Sequence, residues 1–173
     1  MKKELTVTSI VMGIIMAVLF GAANAYLGLR VGMTVSASIP AAVISMGVLR
    51  MILRKNSILE NNMVQTIGSA GESLAAGAIF TMPVLFMWAL EGKASMPSIV
   101  ELACIALFGG ILGVLFMIPL RKTLIVQEHG KLIYPEGTAC AQVLKAGEKG
   151  GSQAGMVFAG LGIAALYKFI ADG

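Results

Sequence analysis

Glu60-Asn61-Asn62-Met63-Val64-Gln65-Thr66-Ile67-Gly68-Ser69-Ala70-Gly71-Glu72-Ser73 leads polar and ionisable groups straight into an apolar run that continues to Leu90. Its meaning depends on the solvent around it. In a bilayer a carboxylate such as Glu72 costs roughly 2.5 kcal/mol or more on insertion scales, so it marks a functional site by default.

The bilayer is implied by composition. Hydrophobic residues make up 57% of the chain, charged residues 13%, and the mean hydropathy is +0.87. Ordinary soluble domains carry about 25% charged residues. Five apolar runs stand out, at Leu5 to Leu27, Val31 to Leu53, Met63 to Leu90, Ile99 to Leu120 and Ala154 to Ile170. Crossing the hydrocarbon takes roughly 20 mostly apolar residues, so each run can span and the third exceeds the need. The first run is too long for a cleaved signal and stays as a helix. The expected fold is all-α: a polytopic membrane bundle of about five spanning helices, filling residues 1–173 as a single membrane domain.

Topology is set by the 13 Lys and Arg residues. Lys2 and Lys3 precede the first run, Arg50, Arg54 and Lys55 come after the second, and Arg121, Lys122, Lys131, Lys145 and Lys149 lie between the fourth and fifth. These share one side, whereas Arg30 and Lys93 fall on the other, with Lys168 near the end of the last run. The positive-inside rule then places the N-terminus in the cytoplasm of a cell-membrane protein and Gly173 outside. The net charge of +4 is a topology signal and calls for no nucleic-acid partner, because no basic stripe interleaved with aromatics accompanies it.

Other chemistries find little support. Cys104 and Cys140 belong to no CxxC pair, and the single histidine, His129, sits in a polar loop without zinc-site spacing, so no metal or other cofactor is expected. The 12 methionines read as lipid-facing or core filler. An intramembrane enzyme would need a nucleophile with its base, and no Ser/His or paired-Asp arrangement occurs in the spans.

Helix packing has a clearer signature. Gly13, Ala17, Gly21 and Ala25 recur every four residues and form a small-residue seam that lets a neighbouring helix approach closely. Gly109 with Gly113, and Gly155 with Ala159, repeat the device in the fourth and fifth runs.

Several runs carry potential breaks. Pro40 interrupts the second run and frees the carbonyl of Ser36, which Ser36 and Ser38 hydroxyls can help to satisfy; a kink is the first reading and ligand coordination the second. Asn24 is either an interhelical hydrogen bond or an interfacial residue. In the third run Asn61, Gln65, Ser69 and Glu72 would form one polar stripe on a continuous helix. Alternatively, Gly68 and Gly71 break the helix and Ser69-x-x-Glu72 caps a new one running to Leu90, which leaves Asn61 to Gly71 as a short or re-entrant half-helix. Ser98-Ile99-Val100-Glu101 is a second capping box, at an outer interface where a carboxylate is cheap.

Between the fourth and fifth runs, Tyr134 to Lys145 reads as a short helix with Pro135 at its start and Gly147 as its C-cap, with a flexible link after it over Lys149-Gly150-Gly151-Ser152-Gln153. It is either a surface amphipathic helix or a half-helix whose N-terminus and Thr138 hydroxyl face an anion or substrate.

Three motifs in this order, Asn24 to Pro40, Glu60 to Thr66 and Lys131 to Ala139, give the chain a resemblance to the oligopeptide transporter family, in particular to prokaryotic members related to the yellow stripe-like metal-chelate transporters. The resemblance covers essentially the whole chain. It implies a secondary active carrier that couples uptake of small peptides or peptide-like metal chelates to protons. Because family members are several times longer, it also implies that these residues form the N-terminal portion of a longer transporter, with its remaining helices as partners. Burial disfavours the charged form of a carboxylate, which makes Glu72 the candidate proton-sensitive group. Gln65, Asn61 and Asn62 would supply neutral hydrogen bonds, Ser69 would flank them, and Thr138 is a further candidate in the pathway. The alternative function is a non-transporting membrane scaffold or assembly subunit, which the small-residue seams would suit equally.

Overall fold

The structure is a computed structural model that describes residues 4–52, 57–149 and 152–172. Among the described residues the regular structure is helical throughout, apart from an isolated bridge between His129 and Leu132. The helices are α1 (Val7–Val31), α2 (Ser38–Gly47), α3 (Ile58–Thr81), α4 (Pro83–Leu90), α5 (Ile99–Arg121), α6 (Pro135–Lys149) and α7 (Ser152–Asp172). π-type turns extend α2 over Val48–Ile52 and α5 over Lys122–Gln127.

Local sequence sets most of the boundaries. Thr6 and Ser9 form a reciprocal capping box at the start of α1, and Gly32 ends that helix in the left-handed conformation at φ 72°, which favours glycine. Ser57 caps α3 by accepting from the Glu60 amide, and Ser98 with Glu101 forms the expected box on α5. Pro83 separates α3 from α4 without turning the chain aside, so Ile58–Leu90 makes one apolar column of 33 residues. Three helical segments are long and apolar enough to cross a membrane, Val7–Val31, Ile58–Leu90 and Ile99–Gln127, and two shorter apolar helices cover Ser38–Arg50 and Phe158–Ala171. The five expected runs are all helical, but the second is cut short. Its first third, Met33 to Ala37, is non-helical, and Leu53, Arg54 and Lys55 lie outside the described residues.

The break is thus displaced from both expected places. The third run does not break at Gly68 to Gly71, because α3 passes through them uninterrupted and Ser69-x-x-Glu72 caps nothing. Nor does Pro40 kink a helix. It stands third in α2, in the first turn, where an amide has no intrahelical acceptor and its loss is harmless.

The core of the bundle is α1 against α3. Apolar side chains gain nothing from leaving lipid for another helix, so close packing must hold such a pair. The seam on α1 provides it. Cβ atoms built on Gly13 and Gly28 would stand 2.7 Å and 2.9 Å from Ile67 and Ile79, and one on Gly21 would reach the Gly71 carbonyl at 3.3 Å. One on Gly71 would meet Ala17 at 2.6 Å. Contacts that advance together in number make α1 and α3 parallel, while α2, with Ala41 against Gly68 and Ser45 against Asn61, returns antiparallel along α3.

α6 lies beside α2 and runs parallel to it. Cys140 and Leu144 pack on Ala42, Gly147 meets Met46, and the Arg50 guanidinium donates to the Gly147 carbonyl at 2.9 Å. Gly147 is therefore a contact point inside α6 rather than its C-cap, and α6 packs one face, with Cys140, Leu144 and Gly147, while most of its other residues are exposed. Gly150 and Gly151 of the anticipated link lie outside the described residues. Gly109, Gly113 and Gly155 have no atom within 4 Å that an added Cβ would meet, so the seams on α5 and α7 remain open among the described residues. These features establish an all-α membrane helix bundle.

Candidate functional site

Glu72 stands fifteenth of the 33 residues in the Ile58–Leu90 column, about 21 Å from its start at 1.5 Å per residue, which puts it near the middle of a span. Only 7% of the residue is exposed. A buried carboxylate needs donors, and α1 and the α1–α2 break supply one each. The Asn24 side-chain amide on α1 donates to Oε1 at 2.9 Å, and the Ala37 backbone amide donates to Oε2 at 3.3 Å. The ion pairs among the described residues do not include Glu72.

This arrangement explains why the chain can stop being helical inside a membrane. Exposed backbone amides are tolerated at that depth only where protein satisfies them. Asn24 Oδ1 accepts from the Val35 amide at 3.0 Å, so one asparagine side chain serves the broken segment and the carboxylate together. Ala37, the residue preceding α2, has no side chain able to cap it. Glu72 takes over as a cap supplied by another helix, and its negative charge faces the positive end of the α2 dipole.

Serines extend the network to α6. Ser38 Oγ and Ser69 Oγ lie 3.0 Å apart, and Ser36 Oγ is 3.4 Å from Ser38 Oγ and donates to Glu136 Oε1. The Ser36 and Ser38 hydroxyls hold the Glu136 carboxyl below the usual carboxylate range. Cys140 donates weakly to the Ser38 carbonyl at 3.7 Å, and burial together with the nearby Glu136 charge pushes its thiol up. A hollow of about 570 Å³ opens beside Glu136, lined by Ile125, Ile133, Tyr134, Pro135 and Gly137.

Of the residues expected from sequence, Glu72 and Ser69 meet in this network. Asn61 is buried about three turns earlier on the same helix, where it accepts from Ser45. Gln65 and Asn62 are half-buried, and both serve Thr66, through the Gln65 side chain at 3.4 Å and the Asn62 carbonyl at 2.8 Å. Thr138 is exposed on the first turn of α6. Glu136, absent from the expected set, joins the network in place of Thr138. The available signal was Ser36 and Ser38 next to Pro40, whose hydroxyls need acceptors once their segment leaves helical form.

Comparison with known proteins agrees with this picture. The family model described as "OPT oligopeptide transporter protein" matches residues 4–172. A protein of Haemophilus influenzae named "Putative oligopeptide transporter" is 45% identical over 150 residues, which are 86% of this chain and 23% of that relative, so the chain spans about a quarter of the relative's length. No solved structure matches. The chain belongs to the oligopeptide transporter family.

Proposed function

We propose that the chain is the N-terminal membrane domain of a secondary active carrier in the cell membrane, with its N-terminus in the cytoplasm, which takes up small peptides or peptide-like metal chelates together with protons. The observation that carries this reading is the placement of Glu72: a carboxylate midway along a spanning column, holding the end of a broken helix. Carriers of this kind bind near the midplane, beside discontinuous helices, and expose their site alternately to the two sides.

Glu72 couples a proton to the backbone by simple geometry. As a carboxylate it accepts from both Asn24 and Ala37. A proton on Oε2 would remove the charge that strengthens this bond and leave a weaker acceptor for the Ala37 N–H. Protonation therefore loosens the α2 N-terminus from α3, and ionisation re-forms the contact. The remaining helices of the longer carrier would complete the walls of the substrate path.

The test is Glu72→Gln in the full-length carrier, reconstituted in vesicles with an imposed pH gradient and supplied with labelled trialanine and, separately, an iron chelate of a small peptide. Loss of gradient-driven accumulation, with exchange of substrate retained, is the expected result. Accumulation equal to that of the unaltered carrier would sink the proton role.

A further inference from the structure

We propose that Glu136 is a positioning residue for Glu72, acting through Ser36 and Ser38 so that the start of α6 gives the α1–α2 break a second point of attachment besides α3. This rests on the proposed role of Glu72 and adds a second element to it.

Three observations converge on the role. First, the C-terminal end of the broken segment is held by carboxylates from different helices: Glu72 of α3 takes the Ala37 amide, and Glu136 of α6 takes the Ser36 hydroxyl. Second, the two attachments fall on adjacent residues of the chain and are joined sideways through Ser38, which touches Ser36, Ser69 and Cys140. Third, α6 is fastened to α2 along its length, by the Ala42–Cys140–Leu144 cluster and by Arg50 on the Gly147 carbonyl. The first turn of α6 and the break therefore move as one body with α2. The Glu72 and Ser69 contacts tie the break to α3.

An acceptor is what the position requires. Ser36 is exposed and has Ser38 Oγ 3.4 Å away, so what Glu136 adds is an acceptor fixed on α6 that ties Ser36 to that helix. Glu136→Gln keeps an accepting oxygen in the same place, whereas Glu136→Ala removes it. The role is thus separable from any direct use of the Glu136 charge.

The experiment reads the position of the segment without transport, so it can fail independently of the proton reading. In the full-length carrier, with Cys104→Ser, Cys140→Ser and any further reactive cysteines replaced, Ala37→Cys reports on the break, because Ala37 is buried. Ala42→Cys, fully buried in the α2–α6 contact, reports on the bundle as a whole. Membranes are labelled with N-ethylmaleimide and the rates compared. Glu136→Ala is expected to speed labelling at position 37 by about fivefold, the scale of a typical net hydrogen bond. It should leave position 42 unchanged. Glu136→Gln should stay within about threefold of the parent. Ser36→Ala should match Glu136→Ala, and the double substitution should add nothing, as two ends of one contact require. Unchanged labelling in Glu136→Ala, equal acceleration in Glu136→Gln, or parallel exposure of position 42 would each overturn the assignment.

Discussion

Replacing Gly71 by alanine should separate α1 from α3, and its size can be worked from the contact. The added Cβ would stand 2.6 Å from both Ala17 Cβ and Ala17 O and 2.7 Å from Ala17 Cα. Carbon atoms rest about 3.5–4.0 Å apart, so the helices must part by about 1 Å. Two of the three clashing atoms belong to backbone, which no rotamer change can move. Overpacking of this kind costs about 1–3 kcal/mol. Alanine also favours helix over glycine by about 1 kcal/mol, so the comparison must be with a second glycine in the same helix. Gly77 serves, since a Cβ there meets nothing within 4 Å. The full-length carrier in mixed micelles, titrated with sodium dodecyl sulfate and followed by circular dichroism, should show Gly71→Ala less stable than Gly77→Ala by about 1–3 kcal/mol. Asn24 lies on the same face of α1, two turns beyond Ala17, so the separation also stretches its 2.9 Å bond to Glu72. Stability equal in the two variants would refute the claim that the seam between α1 and α3 is what holds the bundle.

Asn24→Ala removes a donor from a buried carboxylate and the acceptor of the Val35 amide in one step. It should lower stability in the same titration by about 1.5–3 kcal/mol, the range for hydrogen bonds to charged groups. Glu136 gives a pH signature of defined sign. Its carboxyl in the folded chain titrates below the ordinary 4.5, so the stability from Ser36 and Ser38 is complete above that pH and is lost as pH falls through the lowered folded value. A protonated Glu136 keeps a carbonyl oxygen as acceptor, so protection of Ala37→Cys, normalised to the reactivity of an exposed cysteine at the same pH, should weaken at acid pH by no more than about threefold in the parent, and this component should vanish in Glu136→Gln.

The parts of this fold that were legible in the sequence are those decided within one helix. The α1 seam could be read because a repeat of small residues every four positions leaves few alternatives to a close neighbour, and Gly13, Ala17 and Gly21 do meet α3. The identity of the partner could not, since Ile67, Gly71 and Ile79 carry no pattern that pairs them with α1. The Ser98 and Glu101 box was legible for the same reason, its two bonds being local. The identical spacing of Ser69 and Glu72 misled. Residues three apart share a helix face whether or not the helix begins there, and these two turn to Ser38, Asn24 and Ala37 on other elements.

The location of the break shows how tertiary contacts decide between local alternatives. Gly68 and Gly71 weaken a helix by about 1 kcal/mol each relative to alanine, yet α3 keeps its form because those glycines are where α1 and α2 come closest. Breaking α3 there would give up the packing that the glycines make possible. The interruption falls instead between Gly32 and Ser38, where Gly32 ends α1 and Pro40 fits only the first turn of α2. The amides released by that choice need acceptors at membrane depth, and Asn24 and Glu72 are the groups within reach. Glu72 is thus costly only when considered alone: the dipole and amides of the helix it caps offset part of its burial, and the proposed proton role draws on that same dependence.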